Sequence, residues 1–261
     1  MADHPPLLLE IADGIATVTL NRPHALNAIN RELAAALSAT CGSLRERDDV
    51  RVVIVTGAGE RAFCAGADLR ERGTMTAAER NAHRSSIEAA AEDLAQLPMP
   101  TIAAVRGYAL AGGTELAIAC DLRVAGTDAT FGVPEVKIGI FPGAGGVLRL
   151  PPLVGLGTAR DLLFTGRQVS AEEAFRIGLV TRLVEPEDAL PTALGLASQI
   201  AANAPLALRA VKDALRVSVG LPGPEARLAV NERRMALDDT SDYEEGLRAF
   251  AEKRQPRFTG H

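Results

Sequence analysis

Two glutamates carry the first chemical suggestion in this chain. Glu115 stands in Gly107-Tyr108-Ala109-Leu110-Ala111-Gly112-Gly113-Thr114-Glu115-Leu116-Ala117-Ile118-Ala119-Cys120-Asp121, a glycine-marked turn that runs into helix-forming residues. Glycines ahead of a helix let the backbone come close to a ligand, and the first N–H groups of the helix have no partner within it. The helix dipole adds partial positive charge at the same place. One short segment can therefore offer the Gly112 N–H and, about one turn on, the Glu115 carboxylate. That suits a developing oxyanion with proton transfer beside it. Glu135 follows Pro134 in an otherwise apolar stretch, Phe131 to Ile140. Each glutamate has a plain structural reading: Glu115 complements the dipole, and Glu135 sits on a surface loop. Brought together, they would form an acid/base pair.

A third candidate is the small-residue loop Phe63-Cys64-Ala65-Gly66-Ala67-Asp68-Leu69, which could bring a second backbone donor beside Gly112 or pack as a tight turn. It lacks the Lys-Ser/Thr ending of a phosphate loop and any GxGxxG pattern. The histidines His4, His24, His83 and His261 form no metal-spaced or Ser/Asp-linked group, which sets aside zinc chemistry and a serine triad. Cys64 has no histidine close in sequence to activate it and reads as a small buried thiol.

The elements that must hold these residues alternate. Leu7 to Ile11 and Ile15 to Leu20, joined by Asp13-Gly14, predict a hairpin. Asn30 caps a helix over 31–46 with the stripe Leu33, Leu37, Cys41 and Leu44. Val52 to Val55 and Thr101 to Val105 are short continuous apolar runs, as in strands buried on both faces. Each leads through a glycine turn to small residues and a helix, so the scheme repeats. Residues 70–76 are polar and predict a mobile segment, and a helix over 77–97 ends at Pro98 and Pro100. Short strands are expected at 122–125, 130–131 and 179–184, a glycine-rich turn at 139–146, and helices at 155–164 and 171–177. From about 187 the texture becomes helical, broken at Pro205 and Pro222-Gly223-Pro224, with a last helix over 241–254. This divides the chain into an α/β core over 1–190 and a helical region over 191–261.

Composition narrows the class. A chain of 261 residues, 47% hydrophobic with no tryptophan, can bury a large aliphatic core. A net charge of −5 without a basic run argues against a nucleic-acid surface. Three cysteines without CxxC spacing fit a reduced, cytoplasmic protein. No apolar run reaches the ~20 residues of a membrane span, and the N-terminus lacks a basic n-region.

Asn21-Arg22-Pro23 with Leu26-Asn27-Ala28, the loop 63–69, Gly107 through Glu115, Phe131-Gly132-Val133-Pro134-Glu135 and Pro142-Gly143-Ala144-Gly145-Gly146 occur in the order of the crotonase (enoyl-CoA hydratase/isomerase) superfamily, which the chain resembles from the hairpin to Phe250 through Phe258. The resemblance implies a spiral of ββα units with a C-terminal helical trimerisation region, in trimers or dimers of trimers. It implies an acyl-CoA thioester substrate, with no cofactor beyond the coenzyme A that the substrate carries. The backbone N–H groups of Ala67 and Gly112 would form the oxyanion hole, and Glu115 and Glu135 the acid/base pair. Having both glutamates favours addition of water to a trans-2-enoyl-CoA, giving a 3-hydroxyacyl-CoA. An enoyl-CoA isomerase is the alternative, and RNA binding is known for one member of the methylglutaconyl-CoA hydratase-like subgroup that the C-terminal half resembles.

On physical grounds Glu115, at a helix N-terminus, should hold the water as a carboxylate, and Glu135, in an apolar loop, should carry the proton for C2. Coenzyme A contacts are implied for His24, Ala25, Ala65, Asp68, Leu69 and Arg70, for Gly143, and for Phe250 and Lys253 of a neighbouring subunit. The sequence departs from the family pattern at Ala111, where a third glycine is frequent, and at His24, where lysine is.

Overall fold

The hairpin forms because its turn chemistry matches the twist of its strands. The computed structural model describes residues 5–261, and His4 and the residues before it lie outside the described residues. β1 (Leu7–Ala12) and β2 (Ile15–Leu20) pair antiparallel with Leu7 opposite Leu20. Asp13 and Gly14 both take positive φ, as a two-residue primed turn requires. α1 (Arg31–Arg45) starts where the Asn30 side chain accepts the Leu33 N–H, and it buries Leu33, Leu37, Cys41 and Leu44.

Three strand–strand–helix units follow. The first is β3 (Val52–Gly57), β4 (Ala62–Cys64), α2 (Leu69–Gly73) and α3 (Ala77–Ala95). The second is β5 (Thr101–Val105), β6 (Tyr108–Leu110) and α4 (Gly112–Ala119). The third is β7 (Leu122–Gly126), β8 (Thr130–Gly132), a 3-10 turn over Pro134–Ile138, and α5 (Gly146–Val154). The first strand of each unit joins a six-stranded sheet and the second a four-stranded sheet, both parallel through the repeat. The chain thus winds as a spiral with each turn ending in a helix, preceded in the first unit by the short α2. It continues through α6 (Leu156–Thr165), β9 (Gln168–Ser170), α7 (Ala171–Arg176) and β10 (Arg182–Val184). The last helices are α8 (Ala189–Ala201), α9 (Pro205–Ser218), α10 (Gly223–Met235) and α11 (Ser241–Glu252). β9 closes the small sheet beside β8, and β10 closes the large one beside β7.

The apolar strand runs are buried on both faces, by alternation. Val53, Val55, Ala103, Val105 and Ala125 face the main core, and Val52, Ile54, Ile102, Ala104 and Val124 face the other way. That second face is covered by the stripe Ala193, Ala197 and Ala201 of α8. The packing crosses the boundary expected near 190: α8 belongs with the sheet, because small side chains at helical spacing let it lie close.

Other differences have local causes. The segment expected to be mobile is partly α2, because Asp68 accepts the N–H groups of Arg70 and Glu71 and starts a helix there. Thr76 and Glu79 then form a reciprocal capping box for α3. α5 escapes sequence reading because Pro151 and Pro152 lie inside it. Of the run 179–184, only Arg182–Val184 pairs in the sheet, while Leu179 and Val180 pack in the core.

α4 approaches β4 more closely than any side chain would allow. A Cβ on Gly113 would lie 1.9 Å from the Cys64 carbonyl oxygen, whereas one on Gly42 in α1 would meet nothing within 4 Å. Gly113→Ala should therefore cost about 3 kcal/mol of unfolding free energy in urea titration, and Gly42→Ala should be stabilising by roughly 0.5 kcal/mol. Equal effects would mean that α4 can shift away from β4.

Candidate active site

The Arg22–Asn27 motif builds the floor on which the donor loop rests. Asn27, fully buried at φ 54°, gives its side-chain N–H groups to the Ala58 and Ala62 carbonyls and accepts the Arg22 N–H. Arg22 reaches the Ala28 carbonyl and pairs with Asp68 at 3.0 Å. Ile29 then bridges to the loop: its N–H donates to Gly66 O at 2.7 Å, and its carbonyl accepts the Asp68 N–H at 2.9 Å. Successive N–H groups of an extended segment point to opposite sides, so this pairing turns the Ala67 N–H away from Ile29.

The α4 turn meets the loop there. Gly66 takes φ +88°, and a Cβ on it would lie 2.7 Å from the Ala111 Cβ and 3.2 Å from the Gly112 nitrogen. Gly112, the first helical residue, has no helical acceptor for its N–H. Ala111, the departure noted in sequence, sits at φ 52° and ψ −125°, a region open to glycine and strained for alanine by about 1–3 kcal/mol. Two bonds hold it there, from its N–H to Gly132 O and from the Glu115 N–H to its carbonyl. Thr114 supports the same turn, accepting the Gly132 N–H and donating to Ala109 O.

Glu115 is 3% exposed, and its Oε1 accepts the Gly146 N–H at 2.8 Å. Burial raises its pKa, while the backbone N–H groups of Gly146 and Ala144 pull the other way. The outcome differs from the sequence expectation of a carboxyl favoured in its ionised form, because burial outweighs its hydrogen bonds. Arg149 braces the turn that supplies these donors: its Nη1 donates to Ala144 O at 3.0 Å and its Nη2 pairs with Glu92. Sequence reasoning missed Arg149, whose only signal was its place just after the Pro142–Gly146 turn.

Glu135 lies in the Pro134–Ile138 turn, 7% exposed. Its Oε2 is buried without a hydrogen-bond partner among the described residues. Burial, with the Glu115 charge adding to it, pushes its pKa up to about 7. Glu135 is therefore half protonated near neutral pH, beside a second carboxyl with two backbone donors.

Both glutamates, Ala65, Ala67, Leu69, Gly112 and Gly143 line one cavity of about 860 Å³. Its other walls come from α3 and from the apolar loop Ile138 to Phe141. His24, Ala25, Asp68, Arg70, Phe250 and Lys253 are not among its lining residues. Asp68 has its carboxylate engaged: burial opposes ionisation, yet bonds from the Glu71 N–H and Arg22 hold its pKa below the usual range. Phe250 is 87% exposed, and Lys253 caps α11 in a left-handed conformation. The arrangement can hold a carbonyl oxygen between two backbone turns and move protons at two carboxyls beside it. Glu88 was also missed: its Oε1 would lie 2.8 Å from a Cβ on Gly143.

Comparison with known proteins gives one family. A family model described as enoyl-CoA hydratase/isomerase matches residues 10–261. The short-chain-enoyl-CoA hydratase of Clostridium acetobutylicum is 40% identical over 95% of this chain and 95% of its own. The crotonyl-CoA hydratase of Syntrophomonas wolfei is 37% identical over 97% of each. The crystal structure of an enoyl-CoA hydratase from Bacillus anthracis superposes with a TM-score of 0.96 at 39% identity, over 98% of this chain and 100% of that one.

The raised carboxyl has a consequence for stability. Glu135 binds its proton more tightly folded than unfolded, where its value is ordinary, near 4.5. The folded state holds more protons between the two values, so stability falls as pH rises from about 4.5 to about 7 on account of this group. Glu135→Gln removes that cost. Its stability relative to wild type, measured by denaturant unfolding, should improve by on the order of 2 kcal/mol between about pH 5 and about pH 8. A pH-independent difference would show that Glu135 ionises freely.

Proposed function

The chain belongs to the enoyl-CoA hydratase/isomerase family and is an enoyl-CoA hydratase acting on an acyl-CoA thioester; we propose that Glu115 and Glu135 divide its acid and base work. The observation that carries this reading is their convergence on one cavity beside the Gly66–Ala67 and Ala111–Gly112 turns. The thioester oxygen sits between the Ala67 and Gly112 N–H groups, which strengthen their hold as it gains enolate charge. Loss of one such donor costs ~10²–10³ in rate elsewhere.

Water held by Glu115 gives a proton to that carboxylate as its oxygen bonds to C3. The C2–C3 π electrons shift toward the carbonyl, and the protonated Glu135 delivers its proton to C2. The product is a 3-hydroxyacyl-CoA, and the proton left on Glu115 returns to Glu135 through solvent. Burial supports this division, because Glu135 is raised to about 7 while Glu115 keeps two backbone donors for its carboxylate. These groups supply what hydration needs, so the reading involves no cofactor beyond the coenzyme A of the substrate.

Coenzyme A is assigned to the mouth of the cavity, with Ala65, Leu69 and Arg70 on one side and His24 and Ala25 just before Leu26, whose carbonyl accepts the Ala65 N–H. Phe250 and Lys253, outside the cavity of their own chain, are assigned to a neighbour's site. This requires association, and a homotrimer or a dimer of trimers fits. Val211, Leu215, Val219, Leu228 and Met235, on or beside α9 and α10, are exposed apolar side chains that such an assembly would cover. Among the described residues no helix is long and apolar enough to cross a membrane, and Cys41, Cys64 and Cys120 are free and buried. We place the enzyme in the cytoplasm, where thiols stay reduced.

Two measurements test this reading. Glu115→Gln and Glu135→Gln should each lower kcat for trans-2-enoyl-CoA hydration by ~10²–10⁴. Intact hydration in Glu115→Gln, or faster conversion of a 3-enoyl-CoA than of the 2-enoyl thioester, would point instead to a one-carboxylate isomerase. Light scattering should give the mass of three or six chains, and a fully active monomer would remove Phe250 and Lys253 from the site.

A further inference from the structure

The helix assigned to a neighbour's site is held by a feature that the hydration chemistry does not use. α11 buries Asp242, Glu245 and Ala249 along one face and exposes Tyr243, Leu247 and Phe250 along another. Among the described residues, Ala249 belongs to neither of the two apolar cores packed on the large sheet. Arg234 of α10 lies over the Tyr243 ring, 5.5 Å from its centre, a weak tie at an exposed site. The stronger ties come from the tail that follows the helix, residues 254–261.

This tail runs back along α11. Lys253 caps the helix at φ 54°, a left-handed turn that reverses the chain. Arg254 places its two Nη groups on the two Glu245 oxygens, at 2.6 and 2.9 Å, and Arg248 adds a further donor at 2.8 Å. The Arg257 N–H donates to the same carboxylate at 2.9 Å. Farther along, the Thr259 and Gly260 N–H groups donate to Asp242 at 2.7 and 2.9 Å, and the Asp242 N–H donates to His261 O at 3.1 Å. Between these bonds the Phe258 ring passes over Gly246, where a Cβ would lie 3.8 Å from it. Two carboxylates one turn apart thus take the backbone of the tail, and hydrogen bonds to ionised acceptors are the stronger kind. Arg254, and then Arg248, hold the Glu245 carboxyl well below the usual range, so the clasp is charged at neutral pH.

The same tail is tied to the spiral. Arg51, just before β3, donates from Nη2 to Phe258 O at 2.7 Å and from Nη1 to Ala201 O at the end of α8 at 2.9 Å. Its own N–H donates to Gly14 O in the hairpin turn. A Cβ on Gly260 would lie 3.1 Å from Pro205 Cγ at the start of α9. One guanidinium therefore joins the tail, α8 and the large sheet, and the tail carries that reference to α11. A helix left free to rock would lose that freedom on binding and would bind more weakly.

We propose that the 254–261 tail, clasped by Asp242 and Glu245 and anchored by Arg51, is a positioning element for a neighbour's coenzyme A site, setting the angle at which α11 presents Phe250 and Lys253. This rests on the assignment of those two residues made above.

The experiment compares trans-2-butenoyl-CoA with trans-2-butenoyl-pantetheine, which lacks the adenine nucleotide end of coenzyme A. Removal of residues 256–261, and separately Asp242→Ala, should raise KM for the CoA thioester about tenfold, the range of one lost charged hydrogen bond, with kcat held. Both should leave kcat/KM for the pantetheine thioester as in wild type, and Asp242→Asn, which keeps one acceptor oxygen, should recover part of the loss. Asp242→Ala leaves the tail in place, so it gives the answer even where the shortened chain fails to fold. Lys253→Ala should show the same pattern. An equal loss on both thioesters would give the tail a role in folding alone and overturn the proposal. An unchanged KM in the clasp variants beside a raised KM in Lys253→Ala would also overturn it, leaving the Lys253 assignment standing. No change in KM for any of these variants would sink the assignment and the proposal together.

Discussion

The site depends on the approach of backbone to backbone at two turns. Gly113 of α4 stands so close to the Cys64 carbonyl that no Cβ fits between them. Gly66 takes a left-handed conformation against the Ala111–Gly112 turn. With side chains removed from that contact, two N–H groups from separate units of the spiral can face one small volume. Donors fixed in this way need no reorganisation when charge develops, which makes them effective in a water-poor site. Ala111 pays for the geometry in backbone strain, held by its two hydrogen bonds rather than by its own preference.

The fold supplies that proximity by repetition. Each ββα unit sends its first strand to the large sheet and its second to the small one, so helices and turns of successive units stack along the spiral. Gly66–Ala67 comes from the first unit, Gly112 and Glu115 from the second, and Glu135 from the third. The groups are far apart in the chain and adjacent in space because the units are in register. Arg149 and the Ala144–Gly146 turn then fix Glu115 from the far side.

Burial sets the electrostatics. Two carboxyls in one cavity both resist ionisation, but the same burial acts on unequal partners. Glu115 has backbone N–H groups to stabilise its charge, while Glu135 has an oxygen without a partner among the described residues and the Glu115 charge beside it. Hydrogen bonding therefore favours the charged form more at Glu115 than at Glu135. Arg80 and Arg84 of α3, with Arg72 of α2, add positive charge to the lining of the same cavity.

Much of this was legible in the sequence. Turn residues located the hairpin, Asn30 located the start of α1, and continuous apolar runs announced strands buried on both faces, because these features depend on neighbours in the chain. The glycine turn before Glu115 and the Pro-Glu pair at 134–135 showed where a donor and two carboxyls stand, and motif order joined them to a family. The sequence missed α5, because two prolines inside a helix are tolerated only when packing holds the rest. It placed α8 with the C-terminal helices, although its alanine stripe belongs against the sheet. It gave Asp68 a place near coenzyme A by resemblance alone, and the fold engages the Asp68 carboxylate with Arg22 and the cap of α2. The upward shift of Glu115 and the brace from Arg149 were likewise decided only in three dimensions. Local hydrogen bonding and periodicity are written in adjacent residues, whereas burial and charge proximity arise from segments that meet only after the spiral has closed.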